Sequence, residues 1–322
     1  MRAIVTRLMA DKTDADGRPL REKVLVNDWP EPEGPSGNEI KTQTICTGVT
    51  NGTERNDLIR GNYAHPDEAL PAGWGYQNVG RVVEVGPDVK KLKVGDVLFM
   101  SADHMEYVVM PEAGLLLKLP DIIDPELAAL FGMAGVAMHS VRNAELRMGD
   151  RLLIVGAGFI GQMAAQFAAV SGAHVTICDI DQTRLDRAGR IGAAEETINV
   201  SGDGWEKNIE DWSYDAVLDV AGVVGMEDKL VAAARSRGTV LFIAGRFRVD
   251  YNFNLAQMHE IVIRQNSHFN NSDLENVWRL VDCDMVIIAP LIQDVVPAED
   301  AEQIYTLLRD DPQKLKGTVF VW

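Results

Sequence analysis

Arg151 to Val155 reads RLLIV, a short apolar strand, and it runs directly into GAGFIG. Gly156, Gly158 and Gly161 fill the G-x-G-x-x-G positions, Phe159 and Ile160 stand between the last two, and the helical run MAAQFAAVSG follows at once. Each glycine has a physical role: Gly156 permits a tight turn, Gly158 lets backbone approach a pyrophosphate, and Gly161 lets the helix pack closely on the strand. The free N–H groups and partial positive charge at the start of that helix attract phosphate. The next strand, AHVTICD, ends in Asp179. A carboxylate there accepts hydrogen bonds from adenosine ribose hydroxyls and repels a 2′-phosphate, so NAD is expected in preference to NADP. Arg184, on the following helix, would alter that preference by folding over the ribose, but its position predicts a surface role. Two later strand ends, Asp219-Val220-Ala221-Gly222 and Ile243-Ala244-Gly245-Arg246, carry small residues. Ligands of open α/β sheets collect at this edge, so Ala221, Gly222, Ala244 and Gly245 are expected to lie along the cofactor.

The elements that must position this turn are legible in the texture of the chain. Its 322 residues allow two domains, and 46% apolar with 25% charged residues is the balance of a globular protein. Residues 1 to 121 are rich in Gly, Pro and short β-branched runs, such as Arg81 to Val85, Val97 to Met100 and Tyr107 to Met110, which predicts a small antiparallel β domain. From 122 the pattern alternates short strands with helices, as βαβ units require. Strands are predicted near 151–155, 174–179, 215–219, 239–244 and 261–265, with a weaker one near 197–199, enough for a doubly wound parallel sheet. After 269 a helix around Leu274 to Val281 is expected, then Val286 to Ile292, a helix from Pro297 to Arg309 and a terminal strand TVFVW.

A formal net charge of −17 argues against sequence-independent binding to nucleic acid or anionic membrane, and leaves a small-molecule substrate as the expected partner. Three cysteines, Cys46, Cys178 and Cys283, are too few and too scattered for a disulfide framework or a four-sulfur zinc site. With no signal-peptide pattern at the N-terminus and no run of eighteen apolar residues, a cytoplasmic location is expected.

Beyond the fingerprint, the chain resembles the medium-chain dehydrogenase/reductase superfamily of zinc alcohol dehydrogenases and quinone reductases. The resemblance is carried by VGRVVEVGPDVKKLKVGDVLF, HMEYVVMPE, ELAALFGMAGVAMHSV, the stretch from GDRLLIVGAGFIG to RIGA, and PLIQDVVPAEDAEQIY, in that order. It implies a GroES-like β-rich catalytic domain, built from residues 1–121 together with 269–322, around an inserted doubly wound Rossmann domain of residues 122–268, with the active site in the cleft between. It also implies a homodimer or homotetramer.

The sequence departs from that family where zinc would bind. Zinc-dependent members carry T-G-x-C-G-[ST]-D, G-H-E and a third ligand at the start of the cofactor domain; here these read Thr47-Gly48-Val49-Thr50-Asn51-Gly52-Thr53-Glu54, Gly75-Tyr76-Gln77 and Phe131-Gly132-Met133. A catalytic zinc needs three protein donors, so no metal is expected and Cys46 is read as a buried small hydrophobe. In this the chain is similar to the zinc-free branch that includes bacteriochlorophyllide hydroxyethyl dehydrogenase and its GTE-containing relatives.

Hydride transfer at a carbonyl carbon still requires a stabilised alkoxide-like oxygen and a mobile proton. The groups available are Thr53 and Glu54 of the GTE stretch, Asn56, Tyr76, Asp103 and His104. By resemblance Thr53 is the hydroxyl that bonds the substrate oxygen, and Tyr76 stands where the metal-binding His would be. Tyr76 is the first candidate for polarising that oxygen, its phenol suiting a proton donor, and His104 is a candidate relay. Asn62, Tyr63, His65, Arg246 and Asn252 hint at a polar substrate. The expected activity is a zinc-independent, NAD-dependent interconversion of a secondary alcohol and a ketone. The alternatives are an enoyl or quinone reductase using NAD(P)H, and a cofactor-binding sensor or structural protein without catalysis.

Overall fold

β-branched runs punctuated by Gly and Pro form strands throughout the first part of the chain. The computed structural model describes residues 1–64, 68–314 and 317–322. They form two compact units, Met1–Gly132 with Leu291–Trp322, and Met133–Pro290.

The first unit contains β1 (Ala3–Thr13), β2 (Pro19–Val26), β3 (Glu39–Gly48), α1 (Asn51–Leu58), β4 (Ala72–Gly73), β5 (Asn78–Val85), β6 (Val97–Met100), β7 (Tyr107–Pro111), β8 (Leu116–Leu119) and α2 (Pro125–Ala128). β1 pairs antiparallel with β2 on one side and β4 on the other. α1, NGTERNDL, has no apolar stripe; it is held by polar side chains. Its Asp57 is fully buried and meets Arg21 at 2.5 Å and Lys23 at 2.9 Å, both of them buried on β2.

The second unit contains α3 (Phe131–Asn143, whose first two residues belong to the first unit), β9 (Arg151–Val155), α4 (Phe159–Val170), β10 (His174–Asp179), α5 (Gln182–Arg190), β11 (Glu196–Asn199), β12 (Tyr214–Asp219), α6 (Glu227–Ala233), β13 (Ala234–Phe242), α7 (Phe253–Met258), β14 (Val262–Arg264) and α8 (Asn271–Asp282). The strands form a six-stranded sheet in the order β11-β10-β9-β12-β13-β14, parallel at every pairing. This is the doubly wound arrangement the alternating pattern predicts, with β9 and β12 at the point where strand order reverses. β9 is central and, after the exposed Arg151, buried on both faces, which is why LLIV reads as an unbroken apolar run.

The chain then returns to the first unit as β15 (Asp294–Pro297), α9 (Ala301–Asp310) and β16 (Thr318–Val321). These strands complete a sheet ordered β15-β16-β3-β5-β6-β8, with β7 on β3; its pairings are antiparallel apart from β15 with β16. Ile4, Val49, Leu58, Tyr305, Leu308 and Phe320 make a core that binds the two chain ends together.

The segment Val286 to Ile292, whose type the sequence left open, holds a short 3-10 turn at Ala289–Leu291, and a strand forms later, at Asp294–Pro297. The units divide after Gly132 and Pro290, where the sequence alone placed the divisions after 121 and 268. Polar contacts explain the later division. Asp273 of α8 meets His139 at 2.9 Å and Arg142 at 2.7 Å on α3, and the Gln166 side chain bonds both backbone groups of Ile287. At the earlier division Phe131 packs on Phe99. Among the described residues no helix is long and apolar enough to cross a membrane.

Removing one partner of a buried ion cluster strands the others without a counter-charge. Asp57→Ala is therefore expected to destabilise the first unit by about 3–5 kcal/mol, read from urea unfolding against the wild-type chain; an unchanged midpoint would contradict the assignment.

Candidate active site

β9 delivers the glycine turn. Gly156 has φ +107°, a region L side chains avoid, and a Cβ on Gly161 would lie 1.8 Å from the Gly156 carbonyl oxygen, so the close helix–strand contact requires its hydrogen. A Cβ on Gly158 would meet nothing within 4 Å. Gly158 caps α4, no acidic side chain occupies the first turn, and the N–H groups of Phe159, Ile160 and Gly161 precede the first intrahelical bond, from Gln162 to Gly158. Open space before an uncapped helix N-terminus fits a pyrophosphate.

Asp179 closes β10 and is almost buried. One of its oxygens accepts from Ala157 N–H at 2.6 Å and the other from Asp181 N–H at 2.9 Å, which ties the acidic residue to the glycine turn. The expected surface role of Arg184 is overturned. Its guanidinium turns back to 3.8 Å from Asp179 and 3.6 Å from Asp181, because Asp181 caps α5 and sets that first turn against the strand end.

The two later turns meet as expected of a carboxyl edge. Asp219 accepts from the N–H groups of Ala221 and Gly222 at 3.1 and 3.0 Å, while Ile243 and Ala244 N–H groups bond the Asp219 carbonyl. Arg246, read in the sequence as a possible substrate contact, is instead buried in an ion pair with Asp219, lies 3.6 Å from Glu227 and donates to the Ala244 carbonyl. It clamps the two turns that carry Ala221, Gly222, Ala244 and Gly245.

In the first unit α1 begins at Asn51 with Thr50 as its N-cap. The Glu54 side chain reaches back over that turn, and one of its oxygens accepts from the Thr50 N–H at 2.7 Å and the Thr50 hydroxyl at 2.8 Å. The other oxygen accepts from the Tyr305 hydroxyl, and His104 Nε2 lies 3.4 Å from the first. Burial acts to raise the Glu54 carboxyl, but His104, Lys23 and Tyr305 outweigh it and hold the group at about 2. The Tyr76 hydroxyl is hydrogen-bonded to Thr53 and Thr50. Burial, reinforced by the nearby Glu54 charge, pushes its phenol well above the ordinary value, so Tyr76 stays protonated.

Thr53 and Tyr76 are half-buried, whereas Glu54 and His104 are fully buried. As candidates for touching a ligand, Glu54 and His104 are therefore corrected to groups that act through their neighbours. Asn56 also departs from expectation: its amide bonds Asn62 and the Tyr63 N–H, stapling a loop. Asn252 caps α7. Asp103 is largely enclosed, which raises its carboxyl, and His65 lies outside the described residues. Tyr305 and Lys23 had no signal in the sequence; each sits in an ordinary amphipathic run.

The residues present do not fit a catalytic zinc. Thr50 and Tyr76 offer neutral hydroxyls, that of Thr50 engaged with Glu54 and that of Tyr76 with Thr50 and Thr53, and Cys46 is buried with its thiol pushed up.

A family model described as zinc-binding dehydrogenase matches residues 160–282, which lie in the second unit and include none of these positions. The chain is 26% identical to "Probable D-xylulose reductase A" of Arthroderma otae, over 88% of this chain and 90% of that one. It is 28% identical to L-threonine 3-dehydrogenase of Pseudoalteromonas translucida, over 71% of this chain and 77% of that one. Its fold is similar to 2R,3R-butanediol dehydrogenase from Bacillus subtilis, with TM-score 0.82, 18% identity and full coverage of both chains.

Folding holds Glu54 at about 2, against an ordinary value of 4.5, so between those limits the unfolded chain binds more protons. Its contribution to stability is complete above pH 4.5 and lost as pH falls to about 2. Thermal melting from pH 5 to 2 should fall less steeply in Glu54→Gln than in wild type; parallel curves would refute the buried anion.

Proposed function

We propose that this chain, a member of the medium-chain dehydrogenase/reductase superfamily, interconverts a secondary alcohol and a ketone, with NAD as cofactor and without zinc. It is an oxidoreductase of the medium-chain dehydrogenase type. Relatives named for xylulose reduction and for dehydrogenation of threonine at position 3 support a secondary carbinol as the reacting group. The observation that carries the metal-free reading is the pair of hydroxyls, Thr50 and Tyr76, standing where the sequence pattern of zinc-dependent members has ligands.

The residues of the glycine turn fit a dinucleotide. Gly158 and the first turn of α4 would hold its pyrophosphate, Asp179 its adenosine ribose, and Ala221, Gly222, Ala244 and Gly245 would border the rest. Bound NAD supplies the hydride acceptor for alcohol oxidation. Asp179 favours NAD by repelling a 2′-phosphate, although the proximity of Arg184 softens that repulsion and predicts residual binding of NADP.

Tyr76 polarises the substrate oxygen. A phenol held neutral by burial donates a hydrogen bond to a carbonyl and accepts one from an alcohol, and Thr53, bonded to Tyr76, orients it and completes the oxygen's surroundings.

A screen of alcohols and sugars with NAD and with NADP tests the reading. Oxidation with NAD preferred is expected, and Tyr76→Phe should lower kcat by about a hundredfold or more. A strong preference for NADP would overturn the role of Asp179, and unchanged turnover in Tyr76→Phe would reduce the tyrosine to filler.

A further inference from the structure

The strand order β11-β10-β9-β12-β13-β14 places two mononucleotide-binding halves side by side. On the reading above, Asp179 closes β10 in the half that takes adenosine, and the ends of β12 and β13 fall to the nicotinamide half. Three charged side chains are buried behind those two ends. Arg246 is paired with Asp219 and lies 3.6 Å from Glu227, and only 6%, 2% and 4% of the three side chains is exposed. They stand close to the ligand edge: a Cβ on Gly222 would lie 3.6 Å from an Arg246 guanidinium nitrogen.

The charges of this cluster do not cancel. One Asp219 oxygen accepts from the Ala221 and Gly222 N–H groups and the other from Arg246, while Glu227 accepts from the Gly225 N–H at 2.7 Å. Two carboxylates against one guanidinium leave an excess negative charge, and the Arg246 nitrogen that faces Glu227 makes no hydrogen bond among the described residues. The flanking charges are turned to solvent. Asp228, next along α6, is exposed and bonds the Asn252 N–H, and Arg248 is exposed and paired with Asp250.

We propose that the excess buried charge, carried by Glu227 beside the Arg246–Asp219 pair, makes the cofactor site discriminate between redox states in favour of oxidised NAD. The inference rests on the cofactor reading given above. Oxidised nicotinamide carries a positive charge on its ring. When a hydride from the substrate C–H bond, a proton with two electrons, adds to that ring, the charge is cancelled, and the proton of the alcohol oxygen leaves separately. A buried carboxylate therefore attracts the ring before the transfer and not after it. Out of water that attraction is weakly screened, whereas a carboxylate as exposed as Asp228 acts through solvent. The bias favours uptake of NAD⁺ and release of NADH, the order that alcohol oxidation requires. A purely structural role for the cluster, tying two strand ends together, would act on both redox states alike.

Titration of the full chain with NADH by fluorescence, and with NAD⁺ by competition against bound NADH, reads the two dissociation constants. In Glu227→Gln, which keeps an acceptor for the Gly225 N–H, the Kd for NAD⁺ should rise about fivefold, with that for NADH close to wild type. Glu227→Asp, which keeps the charge, should hold the wild-type ratio, and so should Asp228→Asn. Arg246→Gln, which removes the cation, should move the ratio the other way. Equal weakening of both redox states in Glu227→Gln, the same change of ratio in Asp228→Asn, or a shift of Arg246→Gln in the direction of Glu227→Gln would overturn the inference and leave dinucleotide binding standing. A wild-type chain that binds neither NADH nor NAD⁺ would remove the cofactor reading and the discrimination together.

Discussion

A carboxylate taken wholly out of water costs several kcal/mol unless its surroundings replace the lost hydration. Glu54 is such a group, and much of the first unit is arranged to satisfy it. The N-cap of α1 supplies a backbone and a hydroxyl donor, the chain before β7 supplies an imidazole, and a helix from the far end of the sequence supplies a phenol. The site also constrains its neighbours: a Cβ on Gly75 would lie 2.7 Å from the His104 ring, so the residue before Tyr76 must be glycine for the imidazole to reach its place. Lys23 adds positive charge and itself depends on Asp57, which makes the whole of α1 a polar helix anchored by ions.

The cofactor unit works by a different economy. There the binding features belong to the backbone: positive φ at Gly156, van der Waals contact at Gly161, and unpaired N–H groups at the start of α4. Side chains tune that scaffold. Asp179 bonds the glycine turn, and Arg246, paired with Asp219 and bonded to the Ala244 carbonyl, ties two strand ends together.

These two modes explain what could be read from the residues alone. Backbone-determined features leave strong local signals, so RLLIV-GAGFIG, the acidic end of AHVTICD and the six parallel strands follow from spacing and apolar runs. The side-chain network does not. Glu54 and His104 stood out as chemically able, yet their complete burial depends on elements far away in sequence, and Tyr305 looks like any helical tyrosine. Arg184 and Arg246 were misjudged for the same reason: the carboxylates that draw them in, Asp181 with Asp179 and Asp219 with Glu227, are partners that only the folded chain identifies. The apolar run Val286 to Ile292 forms no strand because Gln166 takes up the Ile287 backbone and keeps it out of a sheet.

On the function proposed above, the Tyr76 and Thr53 hydroxyls would give a substrate oxygen the polarity that a Lewis-acid metal otherwise provides. Metal analysis of protein that is actively oxidising alcohol, before and after dialysis against a chelator, tests this most directly. Sub-stoichiometric zinc and undiminished turnover after dialysis are predicted. Stoichiometric zinc, with activity lost on chelation and restored by zinc alone, would contradict it.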